Sequence, residues 1–191
     1  GMNEIIHEVL HKYWGYSQFR PMQEEIITSL LDGHDTLGLM PTGGGKSLTF
    51  QVPTLSREGI CLVITPLVAL MKDQVESLRA NGIAAAALNS NASEAENHDI
   101  AERAYRGEYK LLYVSPEKLL SEIQHGIFSN SHGTAPTGSL KVSMFAIDEA
   151  HCISQWGQDF RPSYLKIPDF VEQLPVRPVV SAFTATATAE V

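Results

Sequence analysis

The run Met40-Pro-Thr-Gly-Gly-Gly-Lys-Ser47 combines residue types that can hold a polyphosphate. Small residues let backbone N–H groups turn inward onto anionic oxygens. Lys46 adds a positive charge, and the Ser47 hydroxyl can reach a metal ion. The run follows the apolar stretch Thr36-Leu-Gly-Leu-Met40 and precedes a segment able to open a helix. That is the strand–loop–helix setting of a phosphate-binding loop, with Thr42, Gly43, Gly44, Gly45, Lys46 and Ser47 as its contact residues. The usual pattern begins with Gly, and this chain has Met40 there. A Gly-rich turn with a chance Lys-Ser is the competing reading.

Asp148-Glu149-Ala150-His151 weighs against chance, because it directly follows a second apolar run, Met144-Phe-Ala-Ile147. Adjacent parallel strands would bring Lys46 and Asp148 together at one edge of a sheet. Ser47 and Asp148 would then coordinate Mg²⁺, directly or through water. Lys46 would hold the β- and γ-phosphates of ATP, and Glu149 would orient or activate the attacking water. One histidine beside two acids does not make a zinc site, and no Cys/His cluster has suitable spacing.

Two further segments leave alternatives open. In Tyr16-Ser-Gln-Phe-Arg20-Pro-Met-Gln23, a ring and a guanidinium can sandwich a purine while the Gln23 amide reads its edge. Equally, Tyr16 and Phe19 can be packing residues and Gln23 a surface group. Downstream, Trp156, Phe160 and Tyr164 recur every four residues among Gln155, Gln158 and Arg161. Aromatic faces stack on unpaired bases and Arg161 can reach phosphate. The same spacing also suits a core stripe, although Gly157 and Pro162 argue against a long helix.

The elements around these motifs must position them. The spacing predicts helices over Asn3–Tyr13, Arg20–Leu31, Leu67–Asn81 and Ala92–Arg106, with Pro21 in a first turn. Strands are expected at Thr36–Met40, Cys61–Ile64, Ala84–Leu88, Leu111–Val114, Met144–Ile147 and Val179–Phe183. This alternation predicts an α/β fold with a mostly parallel central sheet and helices on both faces, its ligands just beyond the strand ends. The stretch 129–139 is rich in turn formers and reads as a surface loop.

With 191 residues, 43% of them hydrophobic, the chain suits one domain with a full core. No apolar run reaches the roughly 18 residues of a membrane span, so no membrane partner is expected. Gly1 ahead of Met2 reads as a cloning remnant. Two cysteines, Cys61 and Cys152, make no disulfide framework and favour a reducing compartment. The net charge of −8 gives no support to non-specific polyanion binding, so any nucleic-acid contact must be local.

Together these segments resemble the first motor domain of a RecQ-family DNA helicase, within helicase superfamily 2. The likeness spans nearly the whole chain. Phe19–Gln23 resembles motif 0, and Met40–Ser47 matches the family's own phosphate-loop variant. Thr65-Pro-Leu67 with Lys72-Asp-Gln74 resembles motif Ia, and Ser115-Pro-Glu117 motif Ib. Asp148–His151 resembles motif II, and Thr184-Ala-Thr186 motif III. The segment after His151 resembles the family's aromatic-rich loop.

The resemblance implies a RecA-like P-loop domain over residues 1–191, truncated before a second RecA-like domain whose arginines complete the ATP site. It implies ATP and Mg²⁺ as cofactors, with Tyr16 and Arg20 flanking adenine and Gln23 reading it. Trp156, Phe160 and Arg161 would couple single-stranded DNA binding to hydrolysis. The parent would unwind partly duplex DNA 3′-to-5′ in repair or recombination. It would work in the cytoplasm at the nucleoid if bacterial, and in the nucleus if eukaryotic. A nucleotide-dependent module that remodels nucleic acid without processive unwinding is the alternative.

Overall fold

A computed structural model describes residues 1–40, 45–89, 91–124, 140–150, 162–174 and 176–185. Six strands form a single sheet: β1 (Thr36–Met40), β2 (Ile60–Ile64), β3 (Ala85–Leu88), β4 (Leu111–Val114), β5 (Val142–Ile147) and β6 (Val179–Ala185). Their order is β1-β6-β5-β2-β4-β3, and every pairing is parallel. The helices are α1 (Met2–Trp14), α2 (Gln23–Leu31), α3 (Leu48–Leu55), α4 (Val68–Ala80), α5 (Glu94–Tyr105), α6 (Pro116–Gln124) and α7 (Ile167–Gln173). A 3₁₀ turn over Pro162–Lys166 leads into α7.

Parallel strands need crossovers, and the crossing helices cover both faces of the sheet. β2 and β4 lie inside and are buried along their full lengths, which explains their unbroken apolar runs. On one face, Cys61, Val63, Tyr113, Met144 and Phe183 meet Ile26 and Leu30 of α2, Phe50 of α3 and Met71, Val75 and Leu78 of α4. On the other, Leu62, Ile64, Leu112, Phe145 and Ile147 meet α5, the 3₁₀ turn and α7. α1 forms an outer layer, with Ile6 and Leu10 packed against Ile27 of α2 and Val52 of α3.

Local chemistry sets the boundaries. Gly15 takes the left-handed conformation (φ 76°) and its N–H caps α1 at the His11 carbonyl. Ser93 caps α5, its hydroxyl accepting from the Glu96 N–H at 3.1 Å. α2 starts at Gln23 rather than Arg20, because Met22 has a positive φ of 75° that no right-handed helix admits. Two helices went unforeseen. α6 begins directly at Pro116, a residue suited to a first helical turn as well as to ending a strand. The Ser115 hydroxyl accepts from the Lys118 N–H at 3.1 Å and starts that helix. α7 follows the 3₁₀ turn and carries Pro168 near its start.

The sheet order also corrects one expectation. β1 and β5 are not neighbours, because β6 runs between them and pairs with both. Lys46 therefore spans one intervening strand to reach Asp148.

Candidate active site

Lys46 and Ser47 stand between β1 and α3, with Ser47 in the capping position of the helix. Asp148 follows β5 directly, and its N–H donates to the Ile64 carbonyl at the end of β2 at 2.8 Å. Both groups thus sit at the C-terminal edge of the sheet, where open α/β folds bind ligands. There Lys46 Nζ donates to Asp148 Oδ1 at 2.8 Å and lies 3.8 Å from Glu149 Oε1. The Asp148 side chain is only 7% exposed, against 24% for Lys46. A buried carboxylate needs a partner, and the ammonium supplies it.

Glu149 adopts a left-handed backbone (φ 58°), uncommon for a residue other than glycine. The turn lets the Glu149 N–H donate back to Asp148 Oδ1 at 3.0 Å. Tyr164, fully buried, donates its hydroxyl to the Asp148 carbonyl at 3.2 Å. Asp148 is consequently fixed at its side chain, its N–H and its carbonyl. Of the aromatic trio, Tyr164 is a core residue. Trp156, Phe160 and Arg161 lie outside the described residues, as do His151, Thr42, Gly43, Gly44 and the 129–139 stretch.

Gln23 is buried rather than superficial, and it links the motif 0 segment to the phosphate loop. Its Nε2 donates to the Gly45 carbonyl at 2.8 Å, and its Oε1 accepts from the Arg20 N–H at 2.7 Å. Gly45 has φ +77°, and a Cβ placed there would lie 2.4 Å from Gln23 Nε2. The conformation favours glycine, and an added Cβ would displace the Gln23 amide from its bond to Gly45. The Arg20 side chain flanks the same point, its Cδ 3.8 Å from that Cβ position. Tyr16 is exposed nearby in sequence, after the end of α1.

A second set of side chains reaches Ser47. Gln74 of α4 donates from Nε2 to Ser47 Oγ at 3.2 Å. Tyr113 of β4 donates to Gln74 Oε1 at 2.6 Å, and Gln51 of α3 donates from Nε2 to Tyr113 Oη at 3.0 Å. Burial pushes the Tyr113 phenol far above its ordinary pKa, so it stays a neutral donor. Sequence reasoning placed Gln74 only in a motif match and passed over Gln51 and Tyr113. Their signal was faint: a tyrosine in an otherwise aliphatic buried strand, whose hydroxyl needs a polar partner.

The donor set suits Mg²⁺. Among the described residues no three His, Cys, Asp or Glu side chains gather as a metal cage. Ser47 and Asp148 would offer one hydroxyl and one carboxylate, the sparse oxygen set that Mg²⁺ uses when phosphates and water supply its other ligands.

The parallel sheet, with Lys46 and the acids at its strand ends, defines an open α/β domain of the nucleotide-binding type. A solved hypothetical ATP-dependent RNA helicase from Sulfolobus tokodaii superposes with a TM-score of 0.68 at 21% identity, covering 98% of this chain and 52% of that one. The DEAD/DEAH box helicase family model matches residues 20–191, and the chain belongs to that family. It is 48% identical over 180 residues to the ATP-dependent DNA helicase RecQ of Pasteurella multocida, and 45% identical over 188 residues to that of Bacillus subtilis. Those alignments cover 94% and 96% of this chain but only 27% and 30% of the two relatives.

Proposed function

We propose that this chain is the N-terminal ATP-binding motor domain of an ATP-dependent DNA helicase of the RecQ kind. The observation that carries the reading is the 2.8 Å contact between Lys46 and Asp148. It joins the phosphate-loop lysine to a buried carboxylate at the strand ends. The relatives named DNA helicases support the choice of DNA over other polymers.

Lys46 leaves Asp148 for the β- and γ-phosphates when ATP arrives, and Ser47 and Asp148 would hold the metal, directly or through water. Mg²⁺, when bound, neutralises charge on the phosphate oxygens. Glu149 orients the attacking water. Thr42, Gly43, Gly44 and Gly45 offer backbone N–H groups to phosphate. Gln23 reads adenine between Tyr16 and Arg20: an amide has two N–H groups and two lone pairs, and among the described residues one of each is used. Trp156, Phe160 and Arg161 couple single-stranded DNA to hydrolysis.

A second RecA-like domain of the full-length protein closes the ATP cleft and supplies transition-state charge. The whole enzyme unwinds partly duplex DNA 3′-to-5′ in repair or recombination, at the nucleoid or in the nucleus. The test uses Lys46→Ala and Glu149→Gln in the full-length protein. Lys46→Ala should weaken ATP binding, whereas Glu149→Gln should retain binding and lose DNA-stimulated hydrolysis. Equal loss of nucleotide binding in both variants would contradict the separate roles.

A further inference from the structure

We propose that Gln74 is a positioning residue for the metal site, held in one orientation by Tyr113 and Gln51 so that the Ser47 hydroxyl presents a lone pair to the cation. This rests on the nucleotide-site reading above and extends it to three residues that touch neither phosphate nor metal.

With the two amides placed as they are, each bond in the relay has one direction. Gln51 Nε2 can only donate, so Tyr113 Oη accepts at 3.0 Å. Tyr113 therefore gives its own proton to Gln74 Oε1, at 2.6 Å. That contact fixes which end of the Gln74 carboxamide faces Ser47. It is Nε2, again only a donor, at 3.2 Å from Ser47 Oγ. Ser47 must accept there, which turns its own proton away. One lone pair then remains for a cation and the proton for another oxygen.

Among the described residues, Gln74 alone hydrogen-bonds that hydroxyl. Ser47 occupies the capping position of α3 yet makes no side-chain capping bond. A serine without Gln74 would be free to turn among its staggered rotamers. The relay itself is anchored in the core. Tyr113 lies in buried β4, Gln51 is buried on α3, and Gln74 shares α4 with buried Met71, Val75 and Leu78. The hydroxyl orientation is thus set by three separate elements that meet over the sheet.

The test measures equilibrium binding of a fluorescent ATP analogue to the 191-residue chain, with excess Mg²⁺ and with EDTA, beside thermal melts. Losing one orienting hydrogen bond should weaken Mg²⁺-dependent binding about 5-fold in Gln74→Leu. Binding in EDTA should change less than about 2-fold, since the bond acts on the metal ligand alone. Tyr113→Phe should shift binding in the same metal-selective way but less, because it frees the Gln74 amide to flip without removing it. It also provides the decision if Gln74→Leu does not fold.

Equal losses with and without Mg²⁺, or no loss in folded variants, would overturn the proposal and leave the nucleotide site standing. A wild-type chain that gains nothing from Mg²⁺ would instead remove the metal site, and this inference with it.

Discussion

The Lys46–Asp148 contact makes a prediction about the protein without nucleotide. Lys46→Ala removes the partner of a carboxylate that is only 7% exposed. Deleting one member of a buried pair typically costs about 3–5 kcal/mol. Two features reduce that figure here. Lys46 is 24% exposed, so water already screens part of the attraction, and Asp148 keeps the Glu149 N–H at 3.0 Å. Against this, Glu149 loses the ammonium 3.8 Å away, and two carboxylates are left side by side. We expect a loss of about 2–3 kcal/mol, or roughly 4–12 °C in Tm for a domain of this size. Asp148→Asn should be milder, because the amide keeps the shape without the charge. The double variant should melt above the additive expectation, with a coupling energy of about 1–2 kcal/mol. The assay is circular-dichroism melting of the four proteins at neutral pH and low salt, without nucleotide or metal. Additivity within about 0.5 kcal/mol would refute the pairing as a source of stability.

Gly45→Ala should lower Tm and weaken ATP binding together, since its Cβ would meet Gln23 Nε2 at 2.4 Å on a backbone with φ +77°; the expected loss is about 1–3 kcal/mol by thermal melting. At the opposite end of β1, Arg177 holds the Asp35 carboxyl below its ordinary pKa, chiefly through the hydrogen bond between them. A depressed carboxylate stabilises the fold above its unfolded pKa of about 3.9, and that contribution disappears as pH falls through the folded value. Melts of Arg177→Ala should therefore lie slightly below wild type at pH 7, by about 0.2–1 kcal/mol for so exposed a pair, and the gap attributable to Asp35 should close on acidification. Burial pushes the Cys61 thiol up to about 12. Iodoacetamide at about pH 8 should leave Cys61 unlabelled in the native protein and label it after unfolding, as read by peptide mass mapping.

The sequence made visible what depends on neighbours along the chain. Apolar runs ending in Met40 and Ile147 predicted strands, and the chemistry attached to their ends was readable because an open parallel sheet presents ligands there. The six-stranded parallel sheet with helices on both faces matches the α/β expectation. Contacts without a local signature were not readable. Strand order is one, because β6 inserts between β1 and β5 although it is the last strand in sequence. Tyr164 is another: a period of four serves a stacking surface and a core stripe alike, and only burial assigned it to the core. The relay to Ser47 is a third. It joins positions separated by 62, 39 and 27 residues, so no window of sequence contains it.

Gln23 has a role in the fold that its capacity to pair with a base does not reveal. Its amide was singled out for its ability to pair with a base. The fold already uses one end on the Arg20 N–H and the other on the Gly45 carbonyl. A nucleotide contact at Gln23 is therefore connected by hydrogen bonds to the residue just before Lys46. Arg20, Gln23 and Gly45 cannot move independently while those bonds hold. Replacing Gln23 by Ala should consequently disturb two things at once: base preference, and the loop geometry that every nucleoside triphosphate shares. In the full-length protein, affinity for GTP should also fall, though less than affinity for ATP. Calorimetric titration of both nucleotides separates the contributions. A loss confined to ATP would mean that the tie to Gly45 does not organise the loop. Identical losses would mean that it does nothing else, and would remove Gln23 from base reading.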